Sequence, residues 1–101
     1  MSATVQVVHN EGDHRFEVEM DGHLAELDYQ RSGNEILFTH TGVPSALEGR
    51  GIGSALARAG LEYARAEGLT VVPLCPFVRS YIDRKPEYQP LVKQPSSGGI
   101  A

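Results

Sequence analysis

The sequence predicts a compact α+β fold in which a mostly antiparallel sheet packs against one main helix and a short C-terminal helical segment. Two observations predict it: apolar and polar residues alternate with period two between residues 16 and 29, and an apolar face of helical period begins at residue 51. With 101 residues, 41% of them hydrophobic, the chain suits one compact domain. We assign residues 1–93 to this domain and expect residues 94–101 to be a disordered tail.

The first half of the chain predicts a three-stranded antiparallel meander. Residues 16–20 alternate apolar and acidic side chains, residues 21–22 are a hairpin turn signal, and residues 24–29 resume the alternation. A second turn at residues 32–34 leads to an apolar run at residues 36–41, which is rich in β-formers. We expect this third strand to be buried on both faces.

The second half predicts two helices around a short strand at residues 69–72. One apolar helix face is formed, at steps of three and four, by Ile52, Ala55, Leu56, Ala59 and Tyr63. Gly68 suits the left-handed position that ends such a helix. Pro76 is favourable at the first position of a second helix over residues 77–84, with Cys75 as its N-cap.

Composition narrows the classes of partner. A formal net charge of −4 without a basic stripe argues against nucleic acid. No run reaches the roughly 20 apolar residues that span a bilayer, and residues 1–4 do not resemble a secretory signal, so we expect a cytoplasmic protein without a membrane partner. A single cysteine and four scattered histidines predict no metal site.

Three glycines at alternate positions precede the main helix: Gly49, Gly51 and Gly53. Unhindered backbone amides at a helix N-terminus suit a phosphate, although a tight loop that lets strand and helix pack closely is the alternative interpretation. A dinucleotide fingerprint would place its third glycine at Ser54 or Leu56, and a P-loop would need Gly-Lys-Ser/Thr, which does not occur.

The turn resembles the acetyl-CoA signature of the GNAT superfamily of N-acetyltransferases, written Q/R-x-x-G-x-G/A, with Gly51 and Gly53 in the glycine positions and Glu48 in the first. The runs at residues 40–43 and 73–77, together with the turn and Tyr88, are similar to the small stand-alone GNAT-like family of YjdJ-type acetyltransferases. This resemblance extends from about residue 16 to residue 92.

The resemblance implies a V-shaped splay between the strands at residues 36–41 and 69–74, which admits the pantetheine arm of coenzyme A. It also implies a set of coenzyme-binding residues: Val43, Glu48, Gly49, Arg50, Gly51, Ile52, Gly53 and Ser54. Main-chain amides hold the pyrophosphate in this motif, so Glu48 is compatible with it. Arg50 is either a phosphate ligand or an exposed loop residue.

The resemblance implies acetyl transfer from acetyl-CoA to an amine. Cys75 is either a nucleophile near the coenzyme thiol or an inert buried residue, and direct attack by the amine is the alternative route. Relatives often carry Asp or Glu at the position of Gly42, so the usual base is missing here. His40 is the first candidate replacement, with a satisfied sheet histidine as the alternative, and Glu48 and Tyr81 are further candidates.

The sequence therefore predicts an acetyl-CoA-binding N-acetyltransferase-like protein with an unidentified amine acceptor. So short a chain leaves the acceptor site open, or completed by a protein partner or a second copy. A non-catalytic acyl-CoA-binding or sensing module is the alternative function, because Gly42 stands where a base is expected. A structural domain without a ligand is the third.

Overall fold

The computed structural model describes residues 5–93, which form a five-stranded sheet and two α-helices. The strands are β1 (Val8–Asn10), β2 (Arg15–Met20), β3 (His23–Ser32), β4 (Glu35–Gly42) and β5 (Thr70–Pro73). The helices are α1 (Ile52–Glu67) and α2 (Pro76–Arg84), with three 3-10 helices at Glu11–Asp13, Ser45–Leu47 and Pro86–Leu91. The predicted tail lies outside the described residues, so it stays a prediction.

The five strands lie in chain order across the sheet, and each of the first four is antiparallel to its neighbour. Among the strands of residues 5–93, only β5 runs parallel to its neighbour, β4, and α1 makes the crossover between them. The predicted α+β class with a mostly antiparallel sheet is confirmed. Within residues 5–93, no helix has both the length and the apolar composition needed to cross a membrane.

The meander has four strands, so the prediction of three was wrong. The extra strand, β1, has three residues and pairs with residues 15–17 of β2. His9 fixes it by stacking on Phe16, with ring centroids 4.1 Å apart, and by a 2.6 Å hydrogen bond between Nε2 and the hydroxyl of Tyr29. A strand of three residues is too short to show an alternation of period two. The residues that hold it, Phe16 and Tyr29, lie elsewhere in the chain.

The third predicted strand is buried on one face, not on both. Ile36 and Phe38 of β4 are fully buried, whereas Thr39 and His40 are exposed. In the described part of the chain, α1 packs on the face that carries Ile36 and Phe38. The opposite face of the sheet therefore carries polar side chains and is open.

The buried face of α1 is rotated relative to the predicted one. Ile52 and Leu56 are buried as predicted, but Ala55, Ala59 and Tyr63 are half-buried. The other buried positions of the helix are Ala57, Gly60, Leu61 and Ala64. A glycine at the centre of this face lets the helix backbone approach the sheet closely, and a hydrophobicity pattern does not report that approach.

The ends of both helices follow the predictions from glycine and proline. Gly68 ends α1 in the left-handed conformation, at φ 69°, and its N–H donates to the carbonyl groups of Ala64 and Arg65. The second helix begins at Pro76 with Cys75 as its N-cap residue, and no side chain caps it.

Candidate functional site

The site lies where the parallel ladder between β4 and β5 ends. The ladder runs from the pair Glu35 and Thr70 to the pair Phe38 and Pro73, after which β5 stops and β4 continues to Gly42. The N–H of Cys75 then donates to the carbonyl of Phe38 at 2.9 Å. Among the described strands, residues 40–42 pair with β3 alone. Pairing between the two strands that were predicted to splay therefore ends at Phe38 and Pro73, and β4 continues beyond it.

A cleft of about 460 Å³ lies beside this end of β4. Seven of the eight predicted coenzyme-binding residues line it: Val43, Glu48, Gly49, Gly51, Ile52, Gly53 and Ser54. The cleft is also lined by Thr41, Leu47 and Phe77. The loop, the start of α1 and the end of β4 therefore form one wall, and the start of α2 contributes to the other.

Two glycines of this loop have left-handed backbones, Gly49 at φ 82° and Gly51 at φ 74°. Gly51 is the N-cap of α1, and the first intrahelical bond runs from the N–H of Ala55 to the carbonyl of Gly51 at 3.0 Å. The amides of residues 52–54 precede that bond, and no side chain caps the helix. Their dipoles give this end of the cleft a positive potential that favours an anion.

Gly53 also has a packing role. A Cβ at this position would lie 2.7 Å from Cζ of Phe77, closer than side-chain atoms normally approach. The ring of Phe77, 37% exposed, lies against the helix backbone and closes one side of the cleft. Close packing and an amide-lined cleft are therefore two consequences of the same glycine.

Arg50 is the predicted residue that does not line the cleft. Its Nη1 donates to Oδ2 of Asp21 at 2.8 Å, in an exposed ion pair at the β2–β3 turn. A second cleft, of about 350 Å³, shares Ser54 with the first and is also lined by Arg84 and Lys85. These two cations at the end of α2 therefore lie near the start of α1. Sequence reasoning did not detect them because no spacing rule connects the end of α2 with the start of α1.

Cys75 is packed behind the cleft wall. Its side chain is 4% exposed, and Sγ lies 3.1 Å from Oγ1 of Thr41, which does line the cleft. The sulfur is thus one side chain away from the cleft, in contact with the strand whose edge is open. This position is compatible with both predicted alternatives for Cys75, a residue near the coenzyme thiol and a buried packing residue.

His40 lies on the open face of the sheet. Its side chain is 61% exposed, and Nε2 is 3.6 Å from Oε2 of Glu26 on β3. Leu27, the neighbour of Glu26, is the Cα partner of Thr41, and it is fully buried. Thr41 and His40 therefore belong to opposite faces of the sheet, and sequence reasoning did not detect Glu26 because it lies on another strand.

The remaining candidates have different surroundings. Glu48 is exposed at the rim of the cleft, whereas Tyr81 is buried, with its ring centroid 6.1 Å from that of Tyr88. Tyr88 ties the last 3-10 helix to α1 by donating to Oε2 of Glu62 at 2.6 Å. Burial and then this hydrogen bond raise the pKa of Tyr88 to about 12. Within residues 5–93, no three His, Cys, Asp or Glu side chains group as metal ligands would.

The family model described as GCN5-related N-acetyl-transferase matches residues 15–91. The chain belongs to this family. Protein NATD1 of Gallus gallus is 34% identical over 85 residues, which cover 81% of this chain and 77% of that protein. Protein NATD1 of Homo sapiens is 33% identical over 85 residues, covering 81% and 75%.

A solution structure of a GCN5-like putative N-acetyltransferase from Staphylococcus aureus has the same fold as this GCN5-related chain, with a TM-score of 0.70. The two chains are 30% identical, and the match covers 90% of each. The predicted small GNAT-like acetyltransferase domain is confirmed by these similarities. The narrower YjdJ-type assignment stays a prediction.

Proposed function

We propose that this GCN5-related domain binds acetyl-CoA in the cleft at the start of α1 and transfers the acetyl group to a primary amine. The observation that carries the proposal is the joining of two features in one cleft. The left-handed glycine turn supplies amides for a phosphate. The end of β4 that does not pair with β5 supplies a backbone edge for an extended chain. Coenzyme A has both parts, a pyrophosphate and a pantetheine arm that carries amides.

In this proposal the pyrophosphate accepts hydrogen bonds from the amides of residues 52–54, where the helix dipole favours negative charge. Arg84 and Lys85 supply the neighbouring cations for the other phosphate of the coenzyme, since Arg50 is engaged by Asp21. Glu48 is the one unfavourable charge at the rim of the cleft.

The pantetheine arm follows the edge of β4 and brings the thioester to the ladder end, beside Thr41. We assign direct attack by the amine, because Cys75 is buried behind Thr41 and does not itself line the cleft. Holding the amine and the thioester together supplies the catalytic advantage of proximity. Cys75 then acts by packing against Thr41 and keeping that strand end in place.

The first test is a coenzyme-dependent thermal shift. At a hundredfold excess over the Kd, ligand linkage stabilises the folded state by ~2.7 kcal/mol, which for a domain of this size corresponds to a rise in Tm on the order of 10 °C. Gly51→Ala places a side chain on a left-handed residue in the cleft and is expected to remove most of this shift. Gly33→Ala imposes the same backbone strain in the β3–β4 turn, at φ 59°, and is the matched control.

The second test is transfer itself. The protein is incubated with acetyl-CoA and lysine, spermidine, phenethylamine or a lysine-containing peptide, and acetylated product and free thiol are measured. Release of thiol in equal amount to acetylated amine supports the transferase. A full thermal shift without product from any amine contradicts transfer and supports a non-catalytic acyl-CoA-binding module, whereas no thermal shift contradicts both.

A further inference from the structure

The open face of the sheet holds a carboxylate against the backbone of β4. Glu26 on β3 is the Cα partner of Gly42 on β4. A Cβ at residue 42 would lie 2.6 Å from Oε2 of Glu26 and 3.1 Å from Nε2 of His40. The Glu26 carboxylate therefore occupies the volume that a side chain at residue 42 would need.

We propose that Glu26 is the general base of the acetyl transfer and accepts a proton from an amine that reaches the end of β4 on the open face of the sheet, beside Gly42. The inference rests on the proposed function. Gly42 stands between Thr41 and Val43, and both of these neighbours line the cleft. Because Gly42 has no side chain, the carboxylate lies against the β4 backbone on the face opposite the side chain of Thr41, at the strand end where we place the thioester.

Charged groups of both signs surround the Glu26 carboxylate. The facing groups are Glu17 on β2, Asp28 on β3 and His40 on β4, with Arg15 as the nearby guanidinium. Arg15 forms ion pairs with Asp28 at 3.2 Å and with Glu17 at 3.6 Å, and its charge also interacts with that of Glu26. Within residues 5–93, the closest ionisable partner of Glu26 is the imidazole of His40, at 3.6 Å.

The burial of the two side chains gives each a separate part in proton transfer. The Glu26 side chain is 25% exposed, and that of His40 is 61% exposed. Glu26 is the more buried group and lies against Gly42, and the more exposed His40 pairs with it. An imidazole in this position can pass a proton between the carboxylate and water.

The acceptor enters as an ammonium, and one N–H proton passes to Glu26, directly or through one water. The nitrogen lone pair then forms the C–N bond at the acetyl carbonyl, and the C–S bond breaks. The coenzyme thiolate leaves and takes the second proton from the nitrogen. Glu26 returns its proton to solvent through His40, so that one ammonium and one thioester give one amide, one thiol and one released proton.

Glu26→Gln tests the proposal, because it keeps the size of the side chain and removes the base. The kcat for an amine that the wild type acetylates is expected to fall by about 100-fold, since general bases contribute ~10²–10⁴-fold. The KM for acetyl-CoA and the urea midpoint are expected to be unchanged. Glu19→Gln, at an exposed position of the neighbouring strand, is the matched control with wild-type kcat.

A carboxylate moved to the other strand distinguishes a base from a structural residue. Glu26→Ala removes the carboxylate and vacates the space beside Gly42, whose φ is not left-handed, so that Gly42→Asp fits in the same chain. The kcat of the double variant is expected to be at least about tenfold higher than that of Glu26→Ala alone. A residue that only supports the fold would not be replaced from another strand.

The outcomes separate the two proposals. Wild-type kcat in Glu26→Gln, or an equal loss in Glu19→Gln, overturns the assignment of Glu26 and leaves the transferase standing. The same conclusion follows if the double variant recovers nothing. A wild-type protein that binds acetyl-CoA and acetylates no amine overturns the transferase, and the base with it.

Discussion

Gly60→Ala is the substitution whose effect on the fold can be worked most directly from the structure. Gly60 lies in the middle of α1, and a Cβ there would be 2.7 Å from Cε1 and 2.9 Å from Cζ of Phe38. It would also be 3.1 Å from Cδ2 of Leu27, and both neighbours are fully buried. Ordinary contact begins near 3.5 Å, so the helix or the sheet has to move by something under about 1 Å.

The two contributions to the free energy of unfolding have opposite signs. Forcing an extra methyl group into a packed core costs about 1–3 kcal/mol. Alanine is favoured over glycine in a helix interior by about 1 kcal/mol. Taking the middle of the first range, we expect a net loss of about 1 kcal/mol, which lowers the Tm by about 4–8 °C for a domain of this size.

Urea denaturation followed by circular dichroism measures this difference. Ala66→Gly, at an exposed position of the same helix, isolates the intrinsic cost of glycine, about 1 kcal/mol, and serves as the control. Phe38→Leu removes ring atoms that the new methyl group of Gly60→Ala would meet. Residues in contact show coupling energies of ~0.5–3 kcal/mol, so the double variant should lose at least about 0.5 kcal/mol less unfolding free energy than the two single variants lose in sum. If Gly60→Ala stabilises the protein by as much as Ala66→Gly destabilises it, the close approach of α1 to the sheet is refuted.

Three further outcomes follow from the site and from β1. Glu48→Gln removes the anion at the rim of the cleft, so titration calorimetry should show that acetyl-CoA binds at least about threefold more tightly at low salt. The gain in affinity should be smaller in 0.5 M NaCl, and Glu11→Gln should show none. Burial lowers the pKa of His9 despite the opposing charge of Glu11, so the folded state binds a proton at His9 less readily than the unfolded chain does. The stability that neutral His9 contributes is therefore present above about pH 6.5 and is lost as the pH falls below that value. His9→Gln should therefore flatten the decline of the urea midpoint between pH 7 and pH 5, whereas His23→Gln should not. Cys75→Ala should keep the transfer rate within about tenfold of the wild-type rate, and mass spectra of the wild type should show no acetylated protein. A loss of ~100-fold or more in Cys75→Ala, together with an acetyl adduct on the wild type, would establish the cysteine route instead.

The parts of the fold that could be predicted are those set by a residue's own backbone preference. Gly51 and Gly68 have the left-handed conformations that favour glycine, and Pro76 starts the second helix. These constraints act within a few residues, so the sequence reports them directly. The cleft-lining loop belongs to this class, because its glycines Gly49 and Gly51 have left-handed backbones.

The parts that could not be predicted depend on contacts between distant segments. β1 exists because His9 packs on Phe16 and Tyr29, which no local pattern contains. The buried face of α1 is set by how closely Gly60 approaches the sheet, and the open face of β4 by what α1 leaves uncovered. Arg50 was assigned to the phosphates by its place in the motif, and its engagement by Asp21 depends on a turn 29 residues away.

The pairing of Glu26 with Gly42 shows why a missing residue in a linear motif is weak evidence against a chemical activity. Directly opposite residues in an antiparallel pair have Cβ atoms about 4.5–5.5 Å apart, a distance that a glutamate side chain spans. A carboxylate can therefore be supplied to the same place from either strand, provided that the partner position is small enough to admit it. Here the small partner is Gly42, whose missing side chain is filled to within 2.6 Å of the Cβ position by Glu26. On this inference, the glycine that argued for a non-catalytic module is the residue that lets the carboxylate of Glu26 lie against the end of β4.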